Sequence, residues 1–258
     1  MNVARVLRLF TGIALVVLVA MSTVQTAGCS EVSISGKTAK DVFTDPQTLA
    51  LVEASCHGDL AKMDALVRRG ANVNATGYRD MTPLFWTMAC KNYRGIEKLL
   101  ELGANPNYKM EGDISAMYAS SGSDDPHFLP LMLAHGGDPN IRAGYRTALM
   151  IAIEQDRTNN IQLLLDHGAD VNEHDEGGST AATQAAALSK FGIVLMLLKR
   201  GYSYDLVNLA NSIDANVVAE HSQLSEEKKQ ILDMLASKGI RPNAVPHIGP
   251  LPSDTTSH

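Results

Sequence analysis

Cys56, His57 and Cys90 are residues whose types could support chemistry, because thiolates and imidazoles bind zinc and two thiols can form a disulfide. A zinc site needs a fourth ligand, and no further residue stands at a suitable spacing to supply one. The sequence therefore predicts no metal site and no cofactor.

Two short motifs resemble catalytic or nucleotide-binding signatures, but each has a simpler explanation. Gly36-Lys37-Thr38 could end a phosphate-binding loop, yet Glu31 stands where the loop needs a glycine. His135-Gly136-Gly137 resembles an oxyanion-hole tripeptide, but it aligns with residues 167–169 as the end of a recurring helix. No Ser/His/Asp or paired-carboxylate arrangement is supported by spacing, because the recurring acids and histidines stand at equivalent positions of a repeat. We therefore predict that the chain is not an enzyme.

A recurring sequence motif divides the chain into repeats, and these repeats must position the residues named above. LLELGANPN at residues 99–107 returns as LLLDHGADVN at residues 163–172. The glycines within the copies are separated by 33, 33, 32 and 33 residues: Gly70, Gly103, Gly136, Gly168 and Gly201. A fixed period of this length predicts stacked helical repeats.

Local signals predict two helices in each repeat. A first helix begins after a capping side chain, at Asp45-Pro46, Thr82-Pro83, Ser115, Thr147 and Thr180. A second helix carries apolar residues at helical spacing, such as Ile96, Leu99 and Leu100. The recurring glycine then ends that helix in the left-handed conformation. We expect Trp86, Leu100, Leu164 and Leu197 in the core.

This frame resembles that of ankyrin-repeat proteins. The best copy, TPLFWTMACKNYRGIEKLLELGANPN at residues 82–107, matches the family frame TPLHxAA...LLexGAdpN, with Phe85 in place of histidine and Lys91 in place of glycine. The resemblance implies an all-α ankyrin-repeat solenoid of five to six helix-turn-helix units. The implied domain spans residues 45–243, with units at 45–81, 82–114, 115–146, 147–179 and 180–203 and a C-terminal cap at 204–243.

The C-terminal cap differs from the regular units, because Gly239 lies 38 residues after Gly201. We expect one helix from Tyr204 to about Asn216 and a second one beginning at Ser225. Residues 244–258 are rich in proline and are predicted to be a disordered tail.

The N-terminus has the pattern of an export signal. Arg5 and Arg8 precede an apolar run at residues 9–21, which is short for a membrane span. Ala27-Gly28-Cys29 resembles the lipobox of bacterial lipoproteins, although Thr26 stands where leucine is usual. We expect residues 1–28 to be a signal peptide, Cys29 to be lipidated and residues 29–44 to be a flexible tether. Ordinary signal cleavage and an uncleaved anchor remain alternatives.

These expectations place the protein in the periplasm, and Ser30 after the cysteine resembles the outer-membrane sorting type. Its only membrane contact would be the N-terminal lipid. Removing residues 1–28 takes away two arginines and no acids, which changes the formal net charge from −6 to −8. An acidic body repels phosphate backbones, so we expect no nucleic-acid partner.

The pairing of Cys56 with Cys90 is left open by the sequence. In the repeat frame both lie at the end of a first helix, in adjacent units. Packed helices are about 8 to 10 Å apart, whereas a bridge needs Cα atoms within about 7 Å. This comparison favours two free thiols, while an oxidising compartment would favour a disulfide.

The family resemblance implies a protein-binding surface made of the turn tips and the exposed ends of the first helices. Carried over by position, the tips contribute Tyr78, Arg79, Met81, Lys109, Glu111, Ile114, Arg142, Tyr145, Arg146, His174, Glu176 and Ser179. The helix ends contribute His57, Cys90, Glu154 and Gln155. Tyrosine and arginine are common anchors at interfaces, because they bury a large area and still form hydrogen bonds.

The partner is therefore expected to be another protein. Small exported ankyrin lipoproteins resemble immunity proteins that neutralise antibacterial effectors, such as secreted phospholipases delivered by type VI secretion. The alternative is a scaffold for a resident periplasmic enzyme, for example one that protects against oxidative stress.

Overall fold

The computed structural model describes residues 32–242 of the chain. The signal peptide, the lipidation of Cys29 and the tail at residues 244–258 lie outside the described residues and stay predictions. Within residues 32–242, no helix is long and apolar enough to cross a membrane.

The described residues form an all-α fold with thirteen helices and one short hairpin, which confirms the predicted fold class. The helices are α1 (Ala39–Val42), α2 (Pro46–His57), α3 (Leu60–Arg68), α4 (Pro83–Cys90), α5 (Tyr93–Glu101), α6 (Ala116–Gly122), α7 (Phe128–Ala134), α8 (Ala148–Glu154), α9 (Thr158–Asp166), α10 (Ala181–Ala187), α11 (Phe191–Lys199), α12 (Leu206–Asp214) and α13 (Gln223–Ser237). The hairpin pairs β1 (Arg142–Ala143) with β2 (Arg146–Thr147). One compact unit ends at Ala181, and a second begins at Ala182.

The predicted caps start the first helices of the first compact unit. The Asp45 carboxylate accepts a hydrogen bond from the Thr48 amide at 2.7 Å, and the Thr82 hydroxyl accepts one from the Phe85 amide at 3.2 Å. Ser115 and Thr147 cap α6 and α8 in the same way. These bonds satisfy backbone N–H groups that have no partner within the helix.

The period-setting glycines end the second helices as predicted. Their φ angles lie between 83° and 98°, a region that residues with a Cβ rarely adopt.

An asparagine ladder then connects successive repeats. The Asn107 side chain donates to the Gly136 carbonyl at 2.8 Å and accepts from the Asp138 amide at 2.8 Å. Asn74 and Asn140 make the equivalent links to the next repeat.

The core of the first compact unit lies between the helix pairs, and the predicted core residues are buried in it. Trp86, Leu100 and Leu164 are nearly inaccessible to solvent. A buried hydrogen bond of 2.6 Å joins the Ser55 and Thr87 hydroxyls of α2 and α4.

The second compact unit corrects the predicted cap boundaries. Helix α12 begins at Leu206 after Asp205, whose carboxylate accepts from the Asn208 amide at 3.1 Å. Helix α13 begins at Gln223 because Ser222, rather than Ser225, supplies the capping hydroxyl. Leu197 is buried in this unit, as predicted.

Residues 32–44 differ from the flexible tether that the sequence suggested. Ile34 pairs with Lys37 across a tight turn, and α1 follows directly. Val42 and Phe43 are buried, and the Phe43 ring meets the Trp86 ring edge-on at a centroid distance of 5.9 Å. The segment is folded because these apolar side chains are buried against the first two repeats, in one cluster with Cys56 and Trp86.

Candidate protein-binding site

Four chain reversals form a surface that we call the tip surface: residues 76–81, 109–114, 142–147 and 174–179. The first contains the short 3₁₀ turn Tyr78–Asp80, and the third is the β1–β2 hairpin. In the fourth, the Asp175 carboxylate accepts from the Gly177 amide at 2.9 Å and the Ser179 amide at 2.8 Å. Backbone and side-chain hydrogen bonds therefore give each tip a defined shape.

Ion pairs connect neighbouring tips one repeat apart. The Arg79 guanidinium donates to the Glu111 carboxylate from Nε at 2.8 Å and from Nη2 at 3.3 Å. Arg142 lies 3.0 Å from the carboxylate of Glu173 and donates to the His174 carbonyl at 2.6 Å. The structure thus pairs four of the predicted residues across tips, and it adds Glu173, which the sequence did not single out.

A second group of predicted residues meets at the third tip. The Arg146 guanidinium donates to the Glu154 carboxylate at 2.9 Å and lies 5.6 Å from the centre of the Tyr145 ring. Burial raises the pKa of the neighbouring Tyr118 phenol, which stays protonated at neutral pH. This part of the surface therefore presents a half-exposed aromatic ring beside a paired cation.

A pocket opens where residues 32–43 meet the first two tips. Its volume is about 150 Å³. The lining side chains are Ile34, Ser35, Lys37, Val42, Tyr78, Arg79, Met81, Phe85, Met110, Glu111 and Ile114. Five of them were predicted from the repeat frame: Tyr78, Arg79, Met81, Glu111 and Ile114.

The remaining lining residues were missed by the repeat frame. They lie in the segment expected to be a tether, or they are the buried side chains of Phe85 and Met110. The apolar pair Val42-Phe43, within an otherwise polar stretch, was the available signal that this segment packs against the repeats.

Two predicted binding residues are less available than the sequence suggested. Ile114 is buried, with 8% of its surface exposed, so it can contact a partner only through the pocket. Cys90 is not a free thiol, because it forms a disulfide with Cys56.

The disulfide corrects the expectation of two free thiols. The Cα atoms of Cys56 and Cys90 lie 5.4 Å apart. The spacing of about 8 to 10 Å is measured between helix axes, whereas the limit of about 7 Å for a disulfide is measured between Cα atoms. Cα atoms stand about 2.3 Å off the axis, so those on facing sides of two helices come much closer than the axes do.

The other predicted residues keep side-chain surface open to solvent. Tyr78 and Tyr145 are about half exposed, at 52% and 50%. Arg79, Lys109, Glu111, His174, Glu176, Ser179 and His57 are exposed, and Met81, Arg142, Arg146, Glu154 and Gln155 are partly buried. The His57 ring is oriented by a 2.6 Å hydrogen bond between Nδ1 and the Glu53 carbonyl. Their role in binding stays a prediction.

A separate polar cluster lies at the turns between first and second helices, at the other end of the helices from the tips. Asp125 accepts from the Tyr93 hydroxyl at 2.6 Å and lies 3.0 Å from Nδ1 of His127. Burial would raise the pKa of Asp125, but hydrogen bonds from Tyr93 and His127 outweigh it, and the net pKa is lowered. Burial and the bond to Asp125 raise the pKa of Tyr93 to about 12.

The Ser123 hydroxyl also accepts a hydrogen bond from the Asp125 amide, at 3.1 Å. Within residues 32–242, no group of three or more His, Cys, Asp or Glu side chains could hold a metal ion.

Comparison with known proteins agrees with this architecture. Residues 116–208 match ankyrin repeats in three copies. Over 156 residues, the chain is 30% identical to "Mitochondrial disaggregase" of Bos taurus. The match covers 58% of this chain and 22% of that protein. It is 28% identical over 150 residues to "Protein PhlB" of Serratia liquefaciens, covering 57% of this chain and 66% of that one. It is 32% identical over 160 residues to "Ankyrin repeat domain-containing protein SAT10" of Stachybotrys chartarum. That match covers 60% of this chain and 8% of that protein.

The matched region is thus less than two thirds of the length of each of these relatives. The chain contains ankyrin repeats, as the sequence predicted. Ankyrin repeats generally mediate binding to other proteins and typically act as non-enzymatic scaffolds.

Proposed function

We propose that this protein is a lipid-anchored periplasmic immunity protein, which binds and neutralises an antibacterial secreted effector such as a phospholipase. The observation that carries its binding role is the tip surface, on which the Arg79–Glu111 ion pair and the Arg142–His174 hydrogen bond connect neighbouring tips. A surface ordered before binding loses less conformational entropy on association. The half-exposed Tyr78 and Tyr145 rings supply the large amphipathic contacts typical of interface anchors.

The Cys56–Cys90 disulfide supports the proposed compartment. Disulfides persist in oxidising environments such as the periplasm and are rare in the reducing cytosol. The N-terminal pattern supports the same compartment. Arg5 and Arg8, the apolar run and Cys29 are typical of an exported, lipid-attached protein. Neutralisation then requires only that the tip surface cover a functional region of the effector.

A contact-competition assay tests the immunity role even while the effector is unidentified. A strain lacking this gene is grown with sister cells that have an active secretion system. We expect the strain to be killed and to be rescued by the wild-type chain. Rescue should fail with Arg79→Ala/Arg146→Ala, which removes two tip cations.

The matched control is Lys62→Ala/Arg94→Ala, which removes two exposed cations near the turns between helices. This variant should rescue fully. Survival of the strain without the gene would exclude immunity. Affinity capture of a resident periplasmic enzyme by the wild-type chain would then support the scaffold role.

A further inference from the structure

The pocket beside the first two tips is lined both by the N-terminal segment and by residues of the first two repeats. Ile34 and Val42 of the N-terminal segment line it together with Met81, Met110 and Ile114 of the repeats. The N-terminal segment is held in place by Phe43, which packs in the same buried cluster as Trp86 and Cys56. The wall that completes the pocket is therefore part of the folded core.

The size and lining of the pocket define the kind of group that fits. A volume of about 150 Å³ is that of a cavity able to hold one benzene-sized group. Most of the buried lining side chains are thioethers or hydrocarbons, and binding is favourable when an apolar group displaces water from them. One aromatic or branched aliphatic side chain meets both conditions.

The mouth of the pocket adds a charge preference. Lys37 lies there, with its Nζ 4.5 Å from the centre of the Tyr78 ring. Within residues 32–242, no carboxylate lies within ion-pair distance of Lys37, although its charge helps to lower the pKa of Asp41. Arg79 is already paired with Glu111. Lys37 is therefore the cation at the mouth that an incoming carboxylate can pair with.

We infer that this pocket anchors the protein partner by one aromatic or branched aliphatic side chain with a carboxylate beside it. The apolar side chain enters between Met81 and Met110, and the carboxylate pairs with Lys37. This inference rests on the proposed protein-binding function and names the partner chemistry that the first two tips recognise.

The pocket is tested with two small probes that differ in one charge, N-acetyl-L-phenylalanine and N-acetyl-L-phenylalaninamide. The full chain is labelled with ¹³C at its methionine methyl groups, and each probe is titrated while the spectra are recorded. The Met81 and Met110 methyl signals should shift with both probes. The carboxylate probe should bind about threefold to fivefold more tightly at low salt, as for an exposed ion pair.

Two lysine variants isolate the charge preference. Lys37→Gln should bind both probes equally, whereas Lys40→Gln, an exposed lysine of α1, should keep the preference. Equal binding of the two probes to the wild-type chain would overturn the proposed ligand class. The ligand class would also be overturned if neither probe shifts Met81 and Met110, or if these signals shift on concentrating the protein alone, which indicates a second copy in the pocket.

The outcome is independent of the immunity assay. If the probes bind as expected but the strain without the gene survives competition, the proposed pocket is supported and the immunity role is contradicted. If the strain is killed but the probes do not bind, the role stands and the partner uses another part of the tip surface.

Discussion

The guanidinium of Arg79 forms a two-point contact with the carboxylate of Glu111, from Nε to Oε2 at 2.8 Å and from Nη2 to Oε1 at 3.3 Å. The two residues lie 32 positions apart, which is about one repeat, so the contact joins the first tip to the second. It places a planar guanidinium at the pocket, where its charge is already paired with a carboxylate. Lys37 is left as the charge at the pocket mouth that can pair with a partner.

This ion pair should matter more for binding than for folding. Both side chains are about half exposed, and solvent screening limits such pairs to about 0–1 kcal/mol of stability. Arg79→Ala, Glu111→Ala and the double variant should therefore change the free energy of unfolding by less than about 1 kcal/mol. Urea unfolding of the three variants in a double-mutant cycle measures the coupling directly. A coupling energy well above this range would show that the pair is a major stabilising contact.

The disulfide should contribute far more to stability. It closes a loop between residues 34 positions apart, which corresponds to about 3 to 4 kcal/mol in the chain-entropy description. Cys56→Ala/Cys90→Ala should lower the free energy of unfolding by that amount. Urea denaturation, in a chain carrying Cys29→Ser to remove the third cysteine, gives the value.

Reduction provides the control for the disulfide prediction. Dithiothreitol should destabilise the chain that keeps Cys56 and Cys90 by a similar amount and leave the double-alanine variant unchanged. An unfolding midpoint that does not respond to dithiothreitol would mean that the two sulfurs are not bridged in solution.

Asp125 should make stability depend on pH. Its folded pKa is lowered, so its contribution is complete above the unfolded value of about 3.9 and is lost as the pH falls through the folded pKa. Asp125→Asn should cost about 1–3 kcal/mol at pH 7, because the variant loses charged hydrogen bonds. The difference from wild type should shrink as the pH falls below about 4.

Asp124→Asn is the matched control, because Asp124 is an exposed carboxylate that immediately precedes Asp125 in the chain. It should change stability by less than about 0.5 kcal/mol at any pH. Thermal unfolding of the three proteins from pH 7 to pH 3 makes the comparison. An Asp125→Asn deficit that does not change with pH would rule out the ionised carboxylate as its cause.

Two helix glycines should respond in opposite ways to alanine. A Cβ on Gly95 would overlap the backbone carbonyl oxygen of Ser55, so Gly95→Ala should cost about 1–3 kcal/mol or more. At Gly192 the nearest atom to an added Cβ is Oε1 of Glu227, at 3.7 Å, an ordinary contact. Gly192→Ala should therefore stabilise the chain by about 0.4–1 kcal/mol. Urea unfolding of both variants tests the close helix contact, which a neutral Gly95→Ala would contradict.

The sequence by itself determined the repeat and its local structure. The spacing of Gly70 and its equivalents, the caps at Asp45 and Thr82, and the apolar spacing of the second helices each depend on a few adjacent residues. Such signals follow from backbone stereochemistry and helical periodicity, which do not depend on distant contacts. The same frame also placed Trp86 in the core and Tyr78 and Arg79 at a tip.

Only the tertiary structure decided how distant residues meet. The approach of Cys56 to Cys90 depends on which sides of two packed helices face each other, and the axis spacing alone does not specify this. The pocket depends on the packing of Val42 and Phe43 against the first two repeats, a contact that follows no repeat pattern. The pairing of Arg79 with Glu111 likewise required the separation between successive tips, which the stacking of the repeats sets.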